Sequence, residues 1–134
     1  MRPKRAAQKG RKKMTVSRSN PFVQCAIMLV KVWRLGERDT ARILGFSQKD
    51  DAHVASILAG EIHLRDRDVL ERIAHLLWIQ VTLSSLFREP DTENDWLRES
   101  HSQLGDRTPM DLLLDGSMED LLTVRDYVDS AAGL

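Results

Sequence analysis

The residues that could carry out chemistry are few and scattered along the 134-residue chain. The one cysteine, Cys25, can form no internal disulfide, which is typical of a reducing, cytoplasmic compartment. The four histidines have no spacing that puts two metal ligands on one helical face. Glycine-rich phosphate loops and nucleophile elbows do not occur, and helix capping accounts for most carboxylates. We therefore predict a binding protein rather than an enzyme, with no metal and no cofactor.

Helices are expected to position the binding residues. Aromatic residues make up only 5% of the chain, and apolar residues recur at intervals of three and four. No segment alternates like a strand between hairpin turns, so we predict an all-α fold of about seven helices. In the central helix, His75 is expected to be partly buried and hydrogen-bonded, and Trp78 to widen the buried face. Charged residues interrupt that helix too often for a membrane span.

Side chains that can cap a helix mark where each helix should begin. Oxygen-bearing residues precede most of the apolar segments, often with an acidic residue three positions later. Pro109 follows one of them at a first-turn position, and Gly45 and Gly116 can end helices with a positive φ. The predicted caps are Asp39, Ser47, Asp66, Thr92, Thr108 and Ser117.

A strong charge asymmetry lies behind the formal net charge of zero. Residues 1–20 contain eight Lys and Arg and no acid, and the remainder contains 12 basic and 20 acidic residues. Such a basic block is either a disordered, solubilising leader or a segment that binds a polyanion. An export signal is not expected, because Gln24 and Lys31 interrupt the nearby apolar run.

The second and third predicted helices, with Gly45 between them, have the spacing of a helix-turn-helix. A helical hairpin inside any bundle would show similar spacing. Asp50 and Asp51 oppose DNA binding, because they would repel phosphates. If the unit does bind DNA, the candidate contacts are Gln48, Lys49, His53 and Ser56, together with Arg11, Lys12 and Lys13 of the basic segment.

The C-terminal motifs resemble the toxin-binding domain of the Xre/MbcA/ParS antitoxin family. The most specific is Gly-x-Arg-x-Pro-x-Asp-Leu-Leu over residues 105–113, and Trp96-Leu97-Arg98 and residues 124–127 add to it. The upstream run at residues 70–77 is similar to the central helix of that family. The resemblance covers residues 22–134.

This resemblance implies an Xre-like helix-turn-helix domain joined to a small helical toxin-binding domain. We predict a basic tail at 1–20, a helix-turn-helix and dimerisation domain at 21–90 and a toxin-binding domain at 91–134. The implied partner is a RES-domain toxin that consumes NAD or transfers its ADP-ribosyl part, and whose NAD pocket the antitoxin covers. Repression of its own operon through operator DNA, and a homodimer or a hetero-oligomer with the toxin, are also implied.

The acidic body suits a basic pocket that attracts an anionic dinucleotide. The end of the chain could enter that pocket as a plug, and truncation after Asp126 is expected to abolish inhibition while the core still folds. Aromatic, Met and Arg residues dominate interface energies, although residues such as Trp96 and Met110 are more often core residues than contacts. The predicted toxin contacts are Trp96, Arg107, Met110, Asp126, Tyr127, Asp129 and Leu134.

Two other functions stay open at this point. One is a stand-alone helix-turn-helix transcriptional regulator, which an isolated gene would favour. The other is an enzyme, which turnover of NAD or of another nucleotide by the purified chain would reveal. A neighbouring reading frame that encodes a toxin would instead favour the antitoxin.

We predict that the basic segment gives the chain salt-sensitive affinity for DNA of any sequence. Contacts from eight cations to phosphates would give a slope of at most about −7 in a plot of log affinity against log salt. Deletion of residues 1–13 should make this slope shallower, as measured by fluorescence anisotropy on a random duplex. An unchanged slope would contradict a role of this segment in DNA binding.

Overall fold

The structure is a computed structural model, and it describes residues 14–15, 21–46, 51–59, 61–62 and 67–134. These residues contain seven α-helices and one short 3₁₀ helix at Ser102–Leu104, so the prediction of an all-α fold is confirmed. Met14–Thr15 (β1) and Glu61–Ile62 (β2) form a two-residue antiparallel pair that the sequence pattern did not predict. The helices are α1 (Pro21–Val32), α2 (Glu37–Ile43), α3 (Asp51–Leu58), α4 (Arg67–Leu86), α5 (Pro90–Arg98), α6 (Pro109–Asp115) and α7 (Met118–Ala131).

The 20-residue helix α4 lies at the centre of the fold. It packs against both α1 and α7, so the two halves of the chain share one apolar core. Full burial of an aliphatic side chain contributes about 1.5–3 kcal/mol, and α4 buries Ile73, Leu76, Ile79 and Leu83 almost completely. Among the described helices, none is both long and apolar enough to cross a membrane.

The predicted starts of the last two helices are confirmed. The hydroxyl of Thr108 accepts a hydrogen bond of 2.9 Å from the backbone N–H of Asp111 at the start of α6. The hydroxyl of Ser117 accepts one of 3.0 Å from the N–H of Asp120 at the start of α7. Each bond pairs a backbone N–H that has no partner within the helix.

Two predicted caps are wrong, and both lie inside their helices. Asp39 is in the first turn of α2, which begins after Gly36 without a side-chain cap. Thr92 lies inside α5, because the helix already begins at Pro90, where a fixed φ suits the first turn. Acidic residues in these first turns still complement the helix dipole. The other predicted caps, Ser47 and Asp66, lie outside the described residues.

Two glycine turns meet at the buried side chain of Arg72. Gly45 follows α2 with a φ of +88°, and a Cβ added there would lie 2.6 Å from the Nε of Arg72. Gly116 follows α6 with a φ of +85°, and its carbonyl accepts a hydrogen bond from Arg72. Both positions therefore require glycine, for its positive φ and, at Gly45, for the space.

The end of α1 is joined to α5 by polar side chains, of which Glu93 and Asn94 are buried. The indole N–H of Trp33 donates to the carboxylate of Glu93 over 2.7 Å. The side chain of Asn94 donates to the carbonyl of Val32 over 2.7 Å, and Arg98 donates to the carbonyl of Trp33 over 2.6 Å. Asn94 and Arg98 thereby donate to carbonyls that have no hydrogen-bond partner within α1. We call Trp33, Glu93, Asn94 and Arg98 the α1–α5 junction.

We predict that Glu93 makes the folded state less stable as the pH rises. Burial raises its pKa above the ordinary value of 4.5, and hydrogen bonds from Trp33 and Gln80 offset only part of this. The folded state therefore binds this proton more tightly than the unfolded chain does. The resulting stabilisation is complete below pH 4.5 and is lost as the pH rises through the raised pKa.

The variant Glu93→Gln cannot ionise but can still accept the hydrogen bond from Trp33. Its free energy of unfolding relative to the wild type should rise over that pH range, as measured by urea unfolding at a series of pH values. Glu99→Gln, at an exposed position just after the same helix, is the control for loss of a carboxylate. A constant difference between Glu93→Gln and the wild type would contradict the prediction.

Candidate functional site

An aromatic cluster joins α5, the loop after it and α7. The rings of Trp96 and Tyr127 are nearly parallel, with centroids 5.7 Å apart and an interplanar angle of 15°. The ring of His101 lies 4.8 Å from that of Trp96 and 5.4 Å from that of Tyr127. Phe87 completes the cluster at 6.1 Å from Trp96. Such pairs contribute about 0.5–1.5 kcal/mol beyond their buried area.

Hydrogen bonds fix the orientation of this cluster. The Nε2 atom of His101 lies 3.0 Å from the carbonyl oxygen of Trp96. A carbonyl only accepts, so Nε2 carries a proton. The Nδ1 atom lies 3.0 Å from the hydroxyl of Tyr127, which also lies 3.2 Å from the Oε1 atom of Gln103. Tyr127 is therefore anchored by its ring and by its hydroxyl.

The loop over residues 101–107 owes its shape to its own backbone. The N–H of His101 donates to the carbonyl of Arg107 over 3.1 Å, and the N–H of Asp106 donates back to the carbonyl of His101 over 3.0 Å. Gly105 and Asp106 both have a positive φ, of 68° and 62°. This closed loop presents Arg107 to solvent directly before the cap of α6.

A second cluster lies where α4 meets α7. The guanidinium carbon of Arg125 is 4.9 Å from the ring centroid of Trp78, and the side chain also contacts the Nδ1 atom of His75 at 2.7 Å. Asp129 accepts a hydrogen bond of 2.7 Å from the indole N–H of Trp78 and pairs with Arg125 at 3.9 Å. We call these four residues, His75, Trp78, Arg125 and Asp129, the Trp78 cluster.

The Trp78 cluster was not predictable from the sequence pattern. His75 is partly buried and hydrogen-bonded, as predicted. The prediction for Trp78 is wrong, because its side chain is 41% exposed rather than part of the core. Both residues face α7, and their partners Arg125 and Asp129 lie 50 and 51 positions further along the chain. A local sequence pattern gives no sign of such contacts.

The predicted toxin contacts occupy different environments. Trp96 and Tyr127 come together in the aromatic cluster, and Asp129 belongs to the Trp78 cluster. Asp126 is exposed on α7, between these two flanks of the helix. Met110 is only 4% exposed and packs in the core, so the prediction that it contacts a toxin does not fit the folded chain. The remaining two, Arg107 and Leu134, are exposed.

Of the predicted DNA contacts, the structure describes His53 and Ser56. Both lie on α3, three positions apart and thus on one face of the helix. The ring of His53 packs edge-on against Phe46 at 5.2 Å. The others, Arg11, Lys12, Lys13, Gln48 and Lys49, lie outside the described residues.

The acid excess of the chain is confined to its C-terminal part. Residues 21–81 contain eight acidic and eight basic residues, whereas residues 82–134 contain twelve acidic and four basic ones. Negative charge is crowded at the turn between α6 and α7, where a hydrogen bond with Asp115 raises the pKa of Asp120. The surface of this part therefore suits a positively charged partner.

Two comparisons with known proteins bear on this geometry. Residues 82–133 match the family model of the antitoxin Xre/MbcA/ParS C-terminal toxin-binding domain. The chain is also similar to the uncharacterized protein y4oB of Sinorhizobium fredii (strain NBRC 101917 / NGR234). The two are 28% identical over 101 residues, which cover 75% of this chain and 76% of that protein.

The match to residues 82–133 indicates an antitoxin-type domain in the C-terminal part of this chain, and such a domain implies a protein toxin as its partner. More particularly, residues 82–133 form an Xre/MbcA/ParS C-terminal toxin-binding domain, as the motifs at residues 105–113 predicted. The match begins at residue 82, inside α4, so this helix contributes both to the matched domain and to the helices before it.

We predict that the hydroxyl of Tyr127 stabilises the aromatic cluster. Tyr127→Phe keeps the ring stacking but loses the hydrogen bond that the hydroxyl donates next to His101 and Gln103, and should lower the free energy of unfolding by about 1 kcal/mol. Tyr127→Leu also loses the stacking and should cost about 0.5–1.5 kcal/mol more. Urea unfolding measures both changes, and a Phe variant as stable as the wild type would contradict the contribution of the hydroxyl.

Proposed function

We propose that the protein neutralises a RES-domain toxin by covering the pocket in which that toxin binds NAD. The match of residues 82–133 to a toxin-binding antitoxin domain carries this proposal. The resemblance of the motifs at residues 105–113 to antitoxins of RES toxins supports the choice of partner. Inhibition by coverage requires no catalytic group in the antitoxin, which fits a regulator rather than an enzyme.

The distribution of charge supports a pocket as the contact surface. NAD is an anionic dinucleotide, so a pocket that attracts it needs positive charge. The twelve acidic and four basic residues of the C-terminal part are complementary to such a pocket. Complementary charge speeds association and disfavours wrong partners.

The exposed side of α7 and the residues after it are the proposed plug. Asp126 faces solvent, and Leu134 is 74% exposed. The expectation that truncation after Asp126 spares folding is wrong, because it would remove Val128, which is fully buried, and Tyr127 of the aromatic cluster. A point substitution on the exposed face is the appropriate test.

We expect co-expression of this chain to restore growth to bacteria that express the product of the adjacent reading frame. The variant Asp126→Arg reverses an exposed charge within the proposed plug, and its inhibition constant against the NAD turnover of that product should rise about tenfold or more. This follows if Asp126 lies against a positively charged pocket, since like charges placed together in an interface cost several kcal/mol.

Glu37→Arg makes the same change in net charge at an exposed position on α2, and it serves as the matched control. This control should leave inhibition within about twofold of the wild type, apart from the general loss of steering. No recovery of growth with the wild-type chain would contradict the proposed function. Equal effects of both variants would show that only overall charge matters and would place the plug elsewhere.

Repression of its own operon is the second proposed role. The turn between α2 and α3 contains Gly45 at a positive φ, and His53 and Ser56 share a face of α3. With the basic segment at residues 1–20, these features support binding to operator DNA. In this proposal residues 21–90 bind DNA and self-associate, and residues 91–134 contact the toxin. An isolated gene, with no toxin beside it, would favour a stand-alone regulator instead.

A further inference from the structure

The side chain of Trp78 is an exposed and rigidly oriented aromatic group. It is 41% exposed, although tryptophan is usually well buried. Its indole N–H donates to Asp129, and Arg125 lies against one side of its ring. Because α7 fixes this orientation, binding a partner would cost Trp78 little conformational entropy. Rigid Trp residues of this kind are frequent energetic anchors of protein interfaces.

Two other exposed apolar residues are linked to Trp78 by the helix geometry and by hydrogen bonds. Val81 lies three positions further along α4, hence on the same face, and is 52% exposed. The backbone carbonyl of Asp129 accepts a hydrogen bond of 2.8 Å from the N–H of Leu134, which is 74% exposed. Asp129 thus connects Trp78 through hydrogen bonds to Leu134 of the proposed plug.

The charges around Trp78 disfavour a second copy of this chain as its partner. Glu71 precedes Trp78 by two helical turns on the exposed face of α4, and Asp126 lies one turn before Asp129 on α7. A two-fold contact centred on Trp78 would bring these acids close to the same acids of the second copy. The guanidinium of Arg125 is already engaged by Trp78, His75 and Asp129. Basic side chains of a different partner would be attracted by Glu71 and Asp126 rather than repelled.

We propose that Trp78 is an anchor of the toxin interface and inserts into an apolar pocket of the toxin that basic side chains surround. This inference rests on the proposed function and extends it, because Trp78 precedes the matched residues 82–133. The toxin would then contact α4 as well as α7. The α4–α7 pair would present the anchor and the plug together, in the relative position that Asp129 fixes.

The test compares variants of the full chain in binding to the purified product of the adjacent reading frame. Trp78→Ala should weaken the Kd about 30-fold, as expected for an interface anchor. Phe22→Ala is the matched control, because Phe22 is an aromatic residue of similar exposure, 39%, on α1. This control should change the Kd by less than about threefold. Calorimetric titration measures the affinities, and circular dichroism checks that each variant is folded.

Val81→Asp provides a second test that does not depend on the stability of the Trp78 variant. Val81 is 52% exposed, so the fold tolerates a charge there, whereas an apolar interface would not. We expect its Kd to weaken at least tenfold. Values within about threefold of the wild type for both variants, with the wild type binding normally, would overturn the anchor and leave the proposed function intact.

Light scattering of the chain alone tests whether a second copy of the chain, rather than the toxin, binds at Trp78. If Trp78→Ala converts a wild-type dimer into a monomer without weakening toxin binding, this surface binds a second copy and the inference is wrong. A wild-type chain that does not bind the adjacent product at all contradicts the proposed function itself. Selective loss of toxin binding at Trp78 and Val81, with unchanged mass, supports the anchor.

Discussion

The carbonyl oxygens at the end of α1 need hydrogen-bond donors, and in this protein the donors come from α5. A helix leaves its last carbonyls unpaired, and a buried carbonyl without a partner costs about 1–3 kcal/mol. Asn94 and Arg98 pair the carbonyls of Val32 and Trp33, while Glu93 pairs the indole of Trp33. These bonds join α1 to the toxin-binding domain. The N-terminal helices cannot move away from that domain without breaking them.

The local rules of helix formation were predictable from the sequence, and the contacts between helices were not. Thr108 and Ser117 cap their helices as predicted, because a cap needs only a hydroxyl and a nearby backbone N–H. The predictions of Asp39 and Thr92 as caps are wrong, because those helices begin at earlier residues. The burial of Glu93 depends on Trp33, which lies 60 positions away, and no local pattern indicates such a pair.

In the candidate site too, local features were predictable from the sequence and contacts between helices were not. The family resemblance identified the toxin-binding domain, because the motif at residues 105–113 is a contiguous run whose turn and caps depend on local geometry. Exposure was harder to predict, since apolar type alone does not decide which residues face solvent. Met110 packs in the core and Trp78 faces outward, although both are large and apolar. The packing of the helices against one another decides this, and it depends on the whole fold.

The division of α7 into faces limits how a toxin can be bound. One face carries Leu121, Val124 and Val128 into the core, so those residues cannot reach a partner without unfolding. One flank is occupied by the aromatic cluster, through Tyr127, and the other by the Trp78 cluster. The outward face, which includes Asp126, is left to a partner. A single narrow face of one helix is a small contact, whereas stable interfaces bury about 800 Å² per partner. A toxin that bound α7 tightly would therefore also have to cover its flanks, and on the α4 side the exposed residue of that flank is Trp78.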